Sequence, residues 1–221
     1  MAKKKNMLKA SLKQILKMPY FKNYAAASGK VHNIANHEDA VEDILLENGF
    51  RRHEMKVKIE TRDQWISNPY NVDSVPENTF IPQPCGTHNS PDFIVKHNNK
   101  LHFIECKSTS KYATSPMYNS GIPKPEYIYV YSAQKYDETT IYYGKHVLCQ
   151  EDYNKIMKYI ETRRRLDEKL NSGLKNHTCY GIEFYTRPMI NHKKGKKGNV
   201  VKDYFKNPNR KKNEKEVIAS V

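Results

Sequence analysis

The chain has 221 residues, enough for one domain with a real hydrophobic core and no disulfide staples, and too few for two full domains. Hydrophobic residues make up 38 %, charged residues 28 %, and the formal net charge is +14, so a polyanionic partner is expected and collagen-like, porin-like and membrane-helix chains are excluded. No segment is long and apolar enough to cross a bilayer.

Residues 1–30 hold eight Lys and no acid, which marks a basic N-terminal arm. Within it, Leu8, Leu12, Ile15 and Leu16 recur at helical spacing with lysines on the other face, which predicts a short amphipathic helix over 7–18. A second helix is expected over 36–48, where Ala40, Val41, Ile44, Leu45 and Leu46 form a stripe, Glu38 and Asp39 occupy the first turn, and Gly49 follows as a stop. Residues 52–60 alternate roughly as a strand, and 62–90 form an irregular, Pro- and Asn-rich passage. Two strands follow, at 91–95 and 101–107, joined across Asn98-Asn99, a pair that tolerates the positive φ of a tight hairpin.

A Ser/Pro/Tyr loop covers 108–126, strands are expected at 127–132 and 139–148, and a helix at 151–170 that buries Ile156, Tyr159, Ile160 and Leu166. A last strand is expected at 178–186. Residues 187–216 carry eleven Lys or Arg against three acids, so 187–221 reads as a flexible basic tail. The domain proper is then 31–186, near-neutral between two basic ends. The four cysteines (Cys85, Cys106, Cys149, Cys179) show no metal-binding spacing and read as reduced thiols of an intracellular, cytoplasmic protein, with a nuclear location equally compatible with the basic ends.

The hairpin carries the chemistry. Pairing centred on Asn98-Asn99 sets Asp92 opposite Glu105, where like charges destabilise a sheet unless a cation compensates. Alternation along the strand puts Lys107 on the same face and Cys106 on the other. Two hard oxygen donors beside an ammonium suit Mg²⁺, which keeps waters and phosphate oxygens in its shell, and Lys107 could either lose its proton or orient a water. By spacing alone the triad carries little information; the Pro before Asp92 and the two flanking apolar strands make it informative.

Ser90-Pro91-Asp92 and Glu105-Cys106-Lys107 resemble the PD-(D/E)xK nuclease signature, and 83–92 resembles the Gly-containing lead-in of type II restriction endonucleases. The resemblance spans about residues 33–148. It implies a restriction-endonuclease-like α/β fold, a mixed β-sheet core flanked by α-helices with basic terminal arms. It also implies Mg²⁺-dependent hydrolysis of double-stranded DNA, with Mn²⁺ able to substitute, 5′-phosphate ends, and a homodimer for palindromic sites. Asp92 and Glu105 would hold the metal, Lys107 would serve catalysis, and Glu38 on the first helix would take a direct or outer metal role, with Glu42 as its substitute. The family's usual helix after the ExK strand has no counterpart in 108–126, where Pro116, Gly121, Pro123 and Pro125 disfavour one, so 151–170 is the expected second core helix.

DNA contacts are expected from Ser108, Lys111, Tyr118 and Asn119 in the following loop, and backbone contacts from Lys193 and Lys194. The alternatives are a repair or junction-resolving nuclease of the same fold, or a non-catalytic nucleic-acid-binding module.

Overall fold

A computed structural model describes residues 6–27, 36–57, 73–87, 89–118, 121–174, 182–186, 188–190 and 203–221. Three helices come first: α1 (Met7–Ile15), α2 (Phe21–Ala27) and α3 (His37–Glu47). Six strands follow in the order of the chain, β1 (Arg51–Arg52), β2 (Thr79–Pro82), β3 (Phe93–His97), β4 (Lys100–Thr109), β5 (Ile128–Ala133) and β6 (Glu138–Tyr143). They form one mixed sheet in that same spatial order, with β1/β2 and β4/β5 parallel and the other neighbours antiparallel. Helices α4 (Gln150–Leu174) and α5 (Arg210–Ser220) complete the chain.

Period-two alternation divides the sheet into two faces. Phe80, Phe93, Val95, Ile104, Cys106, Ile128, Val130 and Ile141 face α1, α2, α3 and α5, and the apolar stripe of α1 (Leu8, Leu12, Ile15) is fully buried among them. On the other face Tyr118, Tyr129, Tyr131, Tyr142 and Tyr204 form an aromatic layer, continued by Ile81, Ile94 and Val75. The abundant tyrosines are thus largely core. Each buried hydroxyl in this layer still needs a partner, as in the 2.9 Å Tyr118–Tyr142 and 2.8 Å Thr109–Tyr131 bonds.

Several sequence expectations need correction. Of the strand expected at 52–60, residues 58–60 lie outside the described residues, and the described part pairs as a strand only over Arg51–Arg52, although the His53 amide still donates to the Phe80 carbonyl and the Val57 amide to that of Pro84. Strand β2 was hidden in the irregular passage because it has four residues and ends in Pro82. The strand expected at 139–148 stops at Tyr143 and turns into a single 3₁₀ turn, Gly144–His146. Residues 182–186 are not a strand, and 178–181 lie outside the described residues.

Helix α4 forms where expected and runs longer, but none of its residues is fully buried; Tyr159 and Leu166 are 65 % and 55 % exposed. The N-terminal helix forms as expected, and the C-terminal tail differs from expectation over its described residues 203–221. Helix α1 is docked core, and the supposed flexible tail folds back as α5, placing Val217 fully inside the main cluster. Its buried face is mostly polar: Arg210 bonds Glu214 at 2.9 Å and Glu138 at 2.6 Å, Thr140 donates to Glu214, and Asn213 donates to the Tyr204 hydroxyl. A hydropathy pattern cannot register such a face. Among the described residues no helix is long and apolar enough to cross a membrane.

Candidate active site

The hairpin turn forms as the sequence demands. Asn98 and Asn99 both take positive φ, 51° and 56°, and their amides donate to the two carboxylate oxygens of Glu77. This fixes the register Ile94–Phe103 and Phe93–Ile104. One step beyond the ladder, Asp92 meets the Glu105–Cys106 segment, and its Oδ2 accepts the Cys106 amide at 2.7 Å. Lys107 Nζ donates to Glu105 Oε1 at 2.6 Å, while Cys106 points into the helix-covered core. Asp92, Glu105 and Lys107 therefore converge as the alternation requires.

The electrostatics of this cluster are those of a site short of positive charge. Burial, then the Glu105 carboxylate, push the Asp92 carboxyl up to about 8, with Glu38 adding to the shift and the Cys106 amide and Lys107 opposing it. Glu38 is half-buried in the first turn of α3 and is also raised, by burial first and then by Asp39 and Glu105. Burial disfavours the Lys107 ammonium, but the Glu105 ion pair and Asp92 outweigh it, so Lys107 is raised and holds its proton. Of the two roles open to Lys107, donor to a water or phosphate oxygen fits and general base does not.

Glu38 is thus brought to the edge of the carboxylate pair, whereas Glu42, its substitute, is engaged by Arg52 at 2.7 Å. Among the described residues no three His, Cys, Asp or Glu donors stand together as a preformed metal cage. Two carboxylates with room for water and substrate oxygens fit Mg²⁺, which seldom uses all-protein cages. The fit is carried by the Asp92–Glu105 repulsion, which a divalent cation would relieve.

The expected DNA contacts are dispersed. Ser108 is exposed at the end of β4, and Lys111 is exposed in a turn held by its amide bond to Gln134. Tyr118 is 2 % exposed and bonded to Tyr142 in the aromatic layer, where it also lines the cleft over Glu105 and Lys107 described below. Asn119, Lys193 and Lys194 lie outside the described residues.

The sequence reading missed two features. His37, next to Glu38, is buried against Phe21 and the Lys107 backbone, with its pKa lowered to about 3 by burial. More consequential is a cleft of about 200 Å³ over Glu105 and Lys107, walled by Tyr129 and Lys124 on one side and by Tyr153, Met157 and Ile160 of α4 on the other. The i, i+4, i+7 spacing of those α4 residues was visible, but it reads as a buried helix face until the helix is seen to stand off the sheet. The chain matches no family model, and comparisons with curated proteins and with solved structures find no significant match.

Proposed function

We propose that the chain is a Mg²⁺-dependent endonuclease that hydrolyses phosphodiester bonds in DNA, built on a restriction-endonuclease-like core. The single observation that carries this reading is the convergence of Asp92, Glu105 and Lys107 at one end of the β3–β4 hairpin.

Asp92 and Glu105 would hold the metal, with Glu38 acting on it directly or through water. When bound, the metal supplies Lewis-acid stabilisation of the phosphate charge and helps ionise water. Lys107, protonated and fixed by Glu105, donates to the attacking water or to a non-bridging phosphate oxygen and offsets the charge that develops there. The water oxygen forms the new bond to phosphorus and the bond to the 3′ oxygen breaks. That oxygen takes up a proton, leaving 3′-hydroxyl and 5′-phosphate ends.

The motif resemblance favours a type II restriction enzyme acting as a homodimer on palindromic duplex, because a two-fold site calls for a two-fold protein. A repair or junction-resolving nuclease is the second reading, favoured by α4 standing over the carboxylates. Digestion of a sequenced plasmid with wild-type and Lys107→Ala protein, in Mg²⁺ or EDTA, tests the proposal. Metal-dependent products with 5′-phosphate ends from wild type alone are expected, and one shared end sequence would assign the restriction reading. If both proteins bind the plasmid and neither cuts it in Mg²⁺ or Mn²⁺, the chain is a binding module.

A further inference from the structure

The cleft beside the carboxylates has a floor and a roof of different origin. Its floor is the β4–β5 face, where Glu105, Lys107 and Tyr129 lie side by side, and its roof is one stripe of α4, Tyr153, Met157 and Ile160, all half-buried. Lys124 stands at its margin, its ammonium 5.2 Å from the centre of the Tyr127 ring. Helix α4 spans 25 residues without one fully buried side chain, so it crosses the site without packing down onto the sheet. Apolar roof, aromatic floor, two lysines and Glu105 within one cleft match a nucleotide: a flat base for the apolar walls, and a phosphate for Lys107 and Lys124.

The size of the cleft limits what enters. About 200 Å³ is less than the roughly 300–1,000 Å³ of pockets that bury whole drug-sized ligands. A cleft of this volume is far too small for a duplex, and one base separated from its neighbours is the most of a DNA strand that it would take.

We infer that this cleft takes a single unpaired nucleotide next to the scissile phosphate, so that the substrate is a DNA strand that is single or locally unpaired, such as a flap, a fork arm or a frayed end. The inference rests on the nuclease reading of Asp92, Glu105 and Lys107 and, of the two substrate readings above, takes the repair or junction one against the restriction one. Unstacking a paired base costs a few kcal/mol, and a substrate that arrives unpaired avoids that cost.

The test is cutting of three end-labelled DNAs of one sequence in Mg²⁺: single strand, blunt duplex and fork. Single strand and fork arm are expected to be cut at least about tenfold faster than the duplex. Met157→Trp, which fills the cleft from a helix that buries nothing fully, is expected to lower the single-strand rate at least about tenfold with an unchanged thermal unfolding midpoint. Duplex cut as fast as single strand overturns the inference and leaves the nuclease reading standing, as does a Met157→Trp protein that stays folded and cuts at the wild-type rate. The substrate comparison needs no variant, so it decides the matter even if Met157→Trp misfolds. Absence of metal-dependent cutting on all three DNAs overturns the nuclease reading and the inference with it.

Discussion

Asp92 is buried beside a second carboxylate at a cost to the fold, and in the proposed nuclease the same carboxyl would hold the metal. In the metal-free protein its carboxyl holds a proton up to about pH 8, whereas the unfolded chain releases it near the ordinary value of 3.8. Between those limits the folded state binds the extra proton, so this group makes stability fall as pH rises from about 4 to about 8. His37 acts in the opposite sense: folded at about 3 against an ordinary 6.5, it makes stability fall as pH drops from about 6.5 towards 3. Urea denaturation in EDTA across this range should show both slopes, and Asp92→Asn should remove the alkaline one while raising stability near pH 8 by about 1–2 kcal/mol. An unchanged alkaline slope in Asp92→Asn would refute this assignment. The same substitution, like Glu105→Gln and Lys107→Ala, should lower metal-dependent cutting by about 10²–10³-fold or more.

At the scale of elements, two local features hold the site in shape. Gly144 sits where any Cβ would run into the Lys124 backbone, and its amide bonds the Tyr127 carbonyl at 3.0 Å. Gly144→Ala should therefore displace the 124–127 segment and its lysine. The expected signature is a destabilisation of about 1–3 kcal/mol in denaturant, with weakened DNA binding. Helix α5 is held by buried Arg210 and Glu214, with exposed Glu138 as the second partner of Arg210, so Glu214→Ala, which leaves Arg210 only Glu138 and takes the acceptor from Thr140, should cost about 1–3 kcal/mol. A solvated basic tail would show no loss of stability in the same denaturation experiment.

Much of the site was legible because its determinants are local. The positive-φ tolerance of Asn98-Asn99 fixes the turn, the turn fixes the register, and the register places Asp92, Glu105 and Lys107 without knowledge of anything else in the fold. Glu38 was singled out by the motif resemblance alone, since an acid in the first turn of α3 is also what the helix dipole favours. Helix α5 was not, since Arg210, Asn213 and Glu214 bury charge and amide where a periodicity argument looks for carbon. Strand β2 was lost to its brevity, and the roof over the site could not be read because apolar spacing reports a face and never the distance to its neighbour.

For the whole molecule, the described parts of the basic ends, α1 and residues 203–221, belong to the fold, and their place changes what they can do. Lys9 and Lys13 on α1 and Lys211 and Lys215 on α5 line a shallow groove between these two helices, in the layer opposite the carboxylate face of the sheet. DNA held at Asp92 and Glu105 is then not held by these four lysines. Lys13→Glu with Lys215→Glu should leave the salt dependence of binding to a short oligonucleotide unchanged, whereas direct phosphate contacts would lower the log–log slope by about 1 per lysine. The resulting arrangement is a mixed sheet with a helical, lysine-edged back and an aromatic front, and the front carries the carboxylates under α4.

The central claim is that Asp92 and Glu105 are a divalent-cation site, and titration calorimetry with Mn²⁺ alone, run at pH 7 in two buffers of different ionisation heat, tests it most directly. Because burial and Glu105 raise the Asp92 carboxyl, which must be ionised to bind a cation, binding should release protons at pH 7 and disappear in Asp92→Asn. Binding that survives Asp92→Asn, or that releases no proton in wild type, would place the metal elsewhere and contradict the account.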